Sequence, residues 1–256
     1  MVVRIGTSGW NYDHWHPELY PPGLAPRDRL ARYAAVFGTA ELNSSFYRWP
    51  RPVAFGSWRD RLPEGFRLSV KAPRGLTHGR KLCTPEVWLQ RIAAGWHELG
   101  GKRAVLLVQL PPSMPRDDAR LAHFLALVPG WMRVTVEFRH DSWHCQEVFA
   151  LLEAHRAAYC VMSGANLPCV LCATTDFVYV RMHGPDHHHL YAGSYPHADL
   201  RWWADRIGEW DLAGHDVFVY FNNDGNADAV RNARTLRALV AADGVSQAAT
   251  SAANPG

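Results

Sequence analysis

Eight short runs of β-branched and aromatic residues recur along the chain, at 2–7, 39–46, 66–71, 104–110, 132–139, 157–162, 177–183 and 216–222. Between most of them lie stretches with helical periodicity, at 28–37, 52–61, 84–97, 117–127, 146–155, 199–210 and 228–240. Only 163–176 lacks an amphipathic pattern, which predicts a short helix or a loop there. Alternating strands and helices imply parallel strands joined by right-handed crossovers, so the chain must form a closed barrel or an open doubly wound sheet. The glycine fingerprint of dinucleotide folds is missing, and eight units exceed what an open sheet of five or six strands needs. The expected fold class is α/β, a single (β/α)8 TIM-type barrel over residues 1–243. The 256-residue length is close to the roughly 250 typical of that architecture. After residue 243 the sequence turns to Ser, Ala, Thr, Asn and Gly without apolar period, so 244–256 is expected to be a flexible tail.

Composition narrows the function classes. A formal charge of +3 is too small for general nucleic-acid or membrane binding, so any affinity for anions must be local. The N-terminal residues run straight into strand-like sequence without an export signal. The longest apolar run, 104–108, is far short of the about 20 residues a spanning helix requires. Five cysteines, an odd number, read as reduced thiols. A cytoplasmic protein without membrane association is expected.

Side-chain parity then selects candidate residues. In a barrel strand alternate residues face the helices and the lumen, and the helix-facing set is apolar because helices cover it. Val134, Val136 and Phe138 form that set in the fifth run, which sends Thr135, Glu137 and Arg139 inward. Leu42 and Phe46 do the same in the second run and leave Glu41, Asn43 and Ser45 inside; Phe66, Leu68 and Val70 leave Ser69 and Lys71. Gln109 comes from the fourth run, Tyr179, Arg181 and His183 from the seventh, and Tyr220 and Asn222 from the eighth. Glu41, Asn43, Lys71, Gln109, Glu137, Arg139, Arg181, His183 and Asn222 thus converge near the carboxyl ends of six strands, where barrel active sites are built. The competing account is a buried neutralising network, Glu41 with Lys71 and Glu137 with Arg139 or Arg181. Barrel interiors are usually layered with Val, Ile and Leu, and buried ion pairs gain little stability over apolar packing, so a functional site is the stronger expectation.

The connection after the third run carries Lys71, Arg74, His78, Arg80 and Lys81 on the same rim, which suggests an acidic ligand. Asn222, Asn223 and Asp224 precede the last helical stretch, where a phosphate site is common in barrels; the alternative is that Asn223 or Asp224 turns and caps that helix. His187, His188 and His189 stand in a long seventh loop with Tyr191 and Tyr195, read as a solvated loop, with a mobile lid or a fortuitous metal binder as the alternatives. Trp10, Tyr12 and Trp15 offer an aromatic wall.

Several segments together resemble one family. They are Gly6-Thr7-Ser8-Gly9-Trp10, Glu41 to Tyr47, Val70-Lys71-Ala72 with Thr77-His78, Gln109 to Pro112, Glu137 to His140 with Trp143, and Tyr220 to Asn223. The chain resembles domain of unknown function 72, the YecE-like family, over nearly its whole length. The resemblance implies a TIM-type barrel and places signature positions on Glu41, Asn43, Lys71, His78, Gln109, Glu137, Arg139 and His140. It supplies no reaction and no cofactor.

The function expected is a hydrolase or lyase of a phosphorylated or otherwise anionic substrate. Glu137 or Glu41 would be the general base, with Lys71 or His183 as acid or electrostatic stabiliser. Arg139, Arg181 and Asn222 would hold the anion, while Gln109 and Asn43 orient it. One alternative is a binding protein for nucleic acid or another anion, using Lys71, Arg74, His78, Arg80 and Lys81 against phosphates and Trp10 for stacking. Another is a metal-dependent nuclease or isomerase with Glu41, His78, Glu137 and His183 as ligands.

Overall fold

The structure is a computed structural model that describes residues 2–186 and 188–244. Eight strands close into one parallel barrel in sequence order: β1 (Val3–Ser8), β2 (Thr39–Leu42), β3 (Arg67–Lys71), β4 (Arg103–Gln109), β5 (Val134–Glu137), β6 (Ala158–Ser163), β7 (Phe177–Met182) and β8 (Asp216–Phe221). Around them lie α1 (Arg29–Ala34), α2 (Pro52–Arg61), α3 (Glu86–Trp96), α4 (Asp118–Leu127), α5 (Gln146–Ala154), α6 (His197–Leu212) and α7 (Asp228–Ala242). The connection from β6 to β7 contains no helix, the second of the two alternatives its missing periodicity left open. Of the expected tail, 244–256, all but Gly244 lies outside the described residues, as does His187.

Local chemistry explains several boundaries. Pro52 opens α2 at a position whose N–H would have no partner, after an extended Arg51. Asp117 caps α4 by accepting from the Arg120 N–H at 3.0 Å. Among the described residues no helix is long and apolar enough to cross a membrane.

The apolar residues divide into two layers, as parity requires. The outer layer, between strands and helices, holds Val134, Val136, Phe138, Val178, Val180, Met182, Val217, Val219 and Phe221. A smaller inner cluster fills the lower barrel with Val105, Leu107, Cys160, Met162, Phe177, Tyr179, Phe218 and Tyr220. The polar set therefore sits above an apolar plug, at the carboxyl ends of the strands.

One assignment needs correction. The second strand stops at Leu42, and Ser44–Phe46 turns in a 3-10 helix. Ser45 Oγ lies 2.7 Å from the carbonyl oxygens of both Leu42 and Lys71 and satisfies the strand ends there. The turn breaks the alternation, so Phe46 does not face the helices. Its ring lies at the mouth beneath Lys71 and against His78.

Candidate active site

Arg181, fully buried in β7, is the centre of the charged layer. Its Nε donates to Glu41 Oε2 at 3.0 Å and its Nη2 to Glu41 Oε1 at 2.8 Å, a bidentate fork. Its Nη1 donates to Glu137 Oε2 at 2.7 Å. Glu41 also accepts from Ser8 Oγ at 2.5 Å and from the Tyr179 hydroxyl at 2.7 Å. The Arg139 Nε donates to Glu137 Oε1. Every carboxylate oxygen in the layer thus has a partner.

Burial opposes ionisation of both carboxyls, but the guanidiniums and hydrogen bonds prevail. Glu41 is held below the ordinary carboxylate range by Arg181, Ser8 and Tyr179. Glu137 is held well below it by Arg139, Arg181 and His183. The two carboxylates in turn stabilise the Arg181 charge against its own burial.

Above this layer stands a rim of partly exposed residues, Asn43, His78 and Asn222, with Lys71, Gln109 and the Arg139 side chain just inside it. Lys71 Nζ lies 4.4 Å from the centre of the Phe46 ring, and the His78 ring meets that ring edge-on at 4.9 Å. Among the described residues no carboxylate pairs with the Lys71 amine. Burial, and then the Arg181 charge, lowers its pKa to about 8 although Glu137 and Glu41 oppose the shift. The expected pair of Glu41 with Lys71 is therefore replaced by Glu41 with Arg181. A planar fork fits both oxygens of a carboxylate, which a single ammonium cannot do.

His183 is fully buried beside Glu137, its Nε2 3.2 Å from Arg139 Nη2 and 3.7 Å from Glu137 Oε1. Burial lowers its pKa to about 4 against the opposing pull of Glu137, so the ring is neutral at neutral pH. Its Nδ1 faces the Asn222 amide at 3.4 Å. Asn43 Nδ2 donates to Ser8 Oγ at 2.8 Å, tying the rim to the Glu41 shell. Gln109 Oε1 is buried and makes no hydrogen bond among the described residues. An acceptor left in that state costs roughly 1–3 kcal/mol.

Four predicted ligand contacts lie elsewhere. Tyr220 is one layer deeper, its hydroxyl fixed between Thr39 Oγ1 at 2.7 Å and Ser69 Oγ at 2.9 Å. Asn223 is fully buried away from the mouth, where its Nδ2 donates to Gly193 O and Asn232 Oδ1, both at 2.8 Å. His140 accepts from the Ser142 N–H at 3.2 Å and caps the turn Asp141–Trp143. Trp10 packs edge-on against Trp58 and lines a groove of about 390 Å³ beside the mouth, which it shares with Tyr12 and Asn43. Asp224 accepts from Trp15 Nε1 at 2.7 Å and pairs with His14, so a carboxylate occupies the loop expected to bind phosphate.

The proposed metal ligands do not form a cluster. Among the described residues no group of three or more His, Cys, Asp or Glu side chains is arranged to hold a metal ion. Glu41 and Glu137 are committed to guanidiniums, and His78 belongs to the Phe46 side.

Sequence reasoning missed Ser8, Phe46 and Tyr191 as parts of the site, and put Tyr179 in the lumen without joining it to the charged set. Ser8 was readable by parity, because Val3 and Ile5 face the helices and Ser8 therefore faces inward. Tyr191 was not. It reaches the mouth through a loop whose Tyr191 N–H bonds the His183 carbonyl at 2.6 Å, with the hydroxyl 3.4 Å from Arg139 Nη2.

A closed eight-stranded parallel barrel, with ionised side chains gathered at the carboxyl ends of its strands, defines a (β/α)8 TIM-type barrel protein. The chain belongs to the family described as protein of unknown function DUF72, whose model matches residues 4–255. It is similar to the UPF0759 protein YunF of Bacillus subtilis, 25% identical over 272 residues that cover 93% of this chain and 95% of the relative. It is also similar to the UPF0759 protein YecE of Escherichia coli K12, 27% identical over 143 residues, 56% of this chain and 50% of that protein. Among solved structures, a DUF72 family protein from Thermotoga maritima superposes with a TM-score of 0.85 at 25% identity, covering 94% of this chain and 100% of that one.

Proposed function

We propose that the chain is an enzyme, a hydrolase or lyase, that binds a phosphorylated or otherwise anionic small molecule at the carboxyl end of the barrel. The observation that carries this reading is a surplus of positive charge at the mouth. Glu41 and Glu137 are matched by Arg181 and Arg139, and Lys71 adds a cation with no carboxylate partner among the described residues. A buried, unmatched charge is costly, and an incoming anion offsets that cost.

The carboxylates serve here as anchors. Their lowered pKa values make them weak bases, while they hold Arg181 and Arg139 in fixed orientations. Proton transfer falls instead to Lys71, whose pKa of about 8 lies near neutrality, with the neutral His183 imidazole beside the carboxylate as a proton acceptor. Arg139 and Asn222 bind the anion, and Gln109 and Asn43 orient the rest of the substrate.

A panel of sugar phosphates, phosphomonoesters and small carboxylates tests this with wild type and Lys71→Met. Turnover of one panel member, reduced about 10²–10⁴-fold in the variant while its circular dichroism spectrum is retained, is expected. Absence of both binding and turnover across the panel, or wild-type rates in Lys71→Met, overturns the assignment.

Nucleic acid is the second reading, favoured by exposed Arg74 and Arg80 beside the same mouth. It requires binding of a single-stranded oligonucleotide that weakens steeply with salt. No detectable binding at low salt removes it.

A further inference from the structure

We propose that Lys71 is a covalent nucleophile, whose amine condenses with the carbonyl carbon of an anionic aldehyde or ketone to form an imine in the barrel mouth. The proposal rests on the reading of the mouth as an anionic-substrate site, and it adds the functional group attacked and the residue that attacks it.

The chain holds three lysines against twenty-four arginines. Two of the three have evident structural tasks. Lys81 Nζ donates to the Ser113 carbonyl at 2.9 Å, and Lys102 Nζ donates to the carbonyls of Arg59 and Leu62. Lys71 differs, because its Nζ has neither a carbonyl nor a carboxylate among the described residues and rests on the face of Phe46. Where arginine would supply the same charge, this position carries a primary amine, which can lose its proton and form an imine with a carbonyl carbon.

The surroundings suit that step. Burial removes water from the ammonium and Arg181 repels it, which outweighs the pull of Glu137 and Glu41, so the proton leaves more readily than from an ordinary lysine. About one amine in ten is neutral at pH 7 and about half at pH 8. On the adjacent strand, two residues beyond the Leu107 that pairs with Lys71, Gln109 presents a buried Oε1 that has no donor among the described residues. His78 meets the same Phe46 ring, with Nδ1 3.0 Å from Thr77 Oγ1.

The chemistry balances without a further reactant. The Nζ lone pair forms the C–N bond as the carbonyl π pair moves to oxygen; nitrogen gives up a proton and oxygen takes one, with His78 as carrier. The carbinolamine hydroxyl donates to Gln109 Oε1. The proton that the ammonium first gave up returns from solvent through His78 to that hydroxyl, the C–O bond breaks, water leaves, and the nitrogen lone pair closes C=N as a protonated imine. One carbonyl oxygen departs as water and nothing is oxidised or reduced. The imine withdraws electrons from the neighbouring carbon–carbon or carbon–hydrogen bond, so lyase chemistry is favoured over hydrolysis.

Trapping tests the assignment on the full chain. Wild-type protein is incubated at pH 8 with dihydroxyacetone phosphate, glyceraldehyde 3-phosphate or pyruvate, reduced with sodium borohydride, and read by intact mass and peptide mapping. Three lysines and the amino terminus are the possible amine sites, so the modified one is identified without relying on any variant. One equivalent on Lys71 with at least one probe is expected, falling at least tenfold with acetone or glyceraldehyde and vanishing in Lys71→Arg. Labelling of Lys81 or the amino terminus as readily as Lys71 overturns the proposal. So does the absence of an adduct while the phosphate panel is still turned over, in which case the anionic-substrate reading survives alone. Absence of adduct, binding and turnover together removes both.

Discussion

Arg181 grips Glu41 with two hydrogen bonds, Nε to Oε2 at 3.0 Å and Nη2 to Oε1 at 2.8 Å, although the residues are 140 positions apart. The third nitrogen reaches Glu137, so one guanidinium holds two carboxylates that would otherwise repel each other out of contact with water. Replacing it leaves both buried charges without their shared cation. Arg181→Met is expected to lower unfolding stability by about 3–5 kcal/mol in urea titrations. The loss should shrink at pH 5, because burial then lets the carboxyls take protons. A loss below about 1 kcal/mol at pH 8 would show that the network is dispensable.

His183 makes the fold sensitive to acid. Its folded pKa of about 4 lies below its ordinary 6.5, so the unfolded chain takes up the proton first as pH falls. Its contribution to stability is complete above about pH 6.5 and is lost progressively toward pH 4, by roughly 2–4 kcal/mol. Urea midpoints of wild type should therefore fall more steeply across that interval than those of His183→Gln. Parallel curves would contradict it.

Lys71 acts in the alkaline range, with stability again rising as pH rises. Its folded pKa of about 8 lies below the ordinary 10.5, so the folded state releases its proton first. Between those values the unfolded chain binds more protons, and raising the pH stabilises the fold by roughly 2–4 kcal/mol. The stability difference between wild type and Lys71→Met should shift in favour of wild type from pH 8 to pH 10. A pH-independent difference would mean that the amine is solvated like any surface lysine.

Gly184 governs the loop that brings Tyr191 over the mouth. Its φ of +101° is open to glycine and strained for other residues, and a Cβ there would stand 2.2 Å from the Ala192 carbonyl oxygen. Gly184→Ala is expected to cost roughly 1–3 kcal/mol and to lower the melting temperature by several degrees. An unchanged melting curve would show that the loop re-forms elsewhere at no cost.

Much of this arrangement was legible in the sequence, and the reasons are local. Val134, Val136 and Phe138 alternate with Thr135, Glu137 and Arg139, so the helix-facing and lumen-facing sides were fixed by a period of two. The same logic placed Glu41, Lys71, Gln109, Arg181 and His183 inside. It failed where the backbone left the strand: Ser45 caps two strand ends and turns Phe46 into the mouth. Parity also carries no depth, so Tyr220 looked equivalent to Asn222 although its hydroxyl is locked between Thr39 and Ser69 beneath the charged layer.

The sequence by itself determined which side chains enter the barrel, because strand alternation is a property of a few neighbouring residues. Only the closed structure decided how they pair. The stagger of the strands around the barrel sets whether Glu41 meets the fork of Arg181 or the ammonium of Lys71, and that stagger emerges from all eight strands together. Once the two carboxylates had taken the guanidiniums, the lysine amine was left at the opening over an aromatic ring.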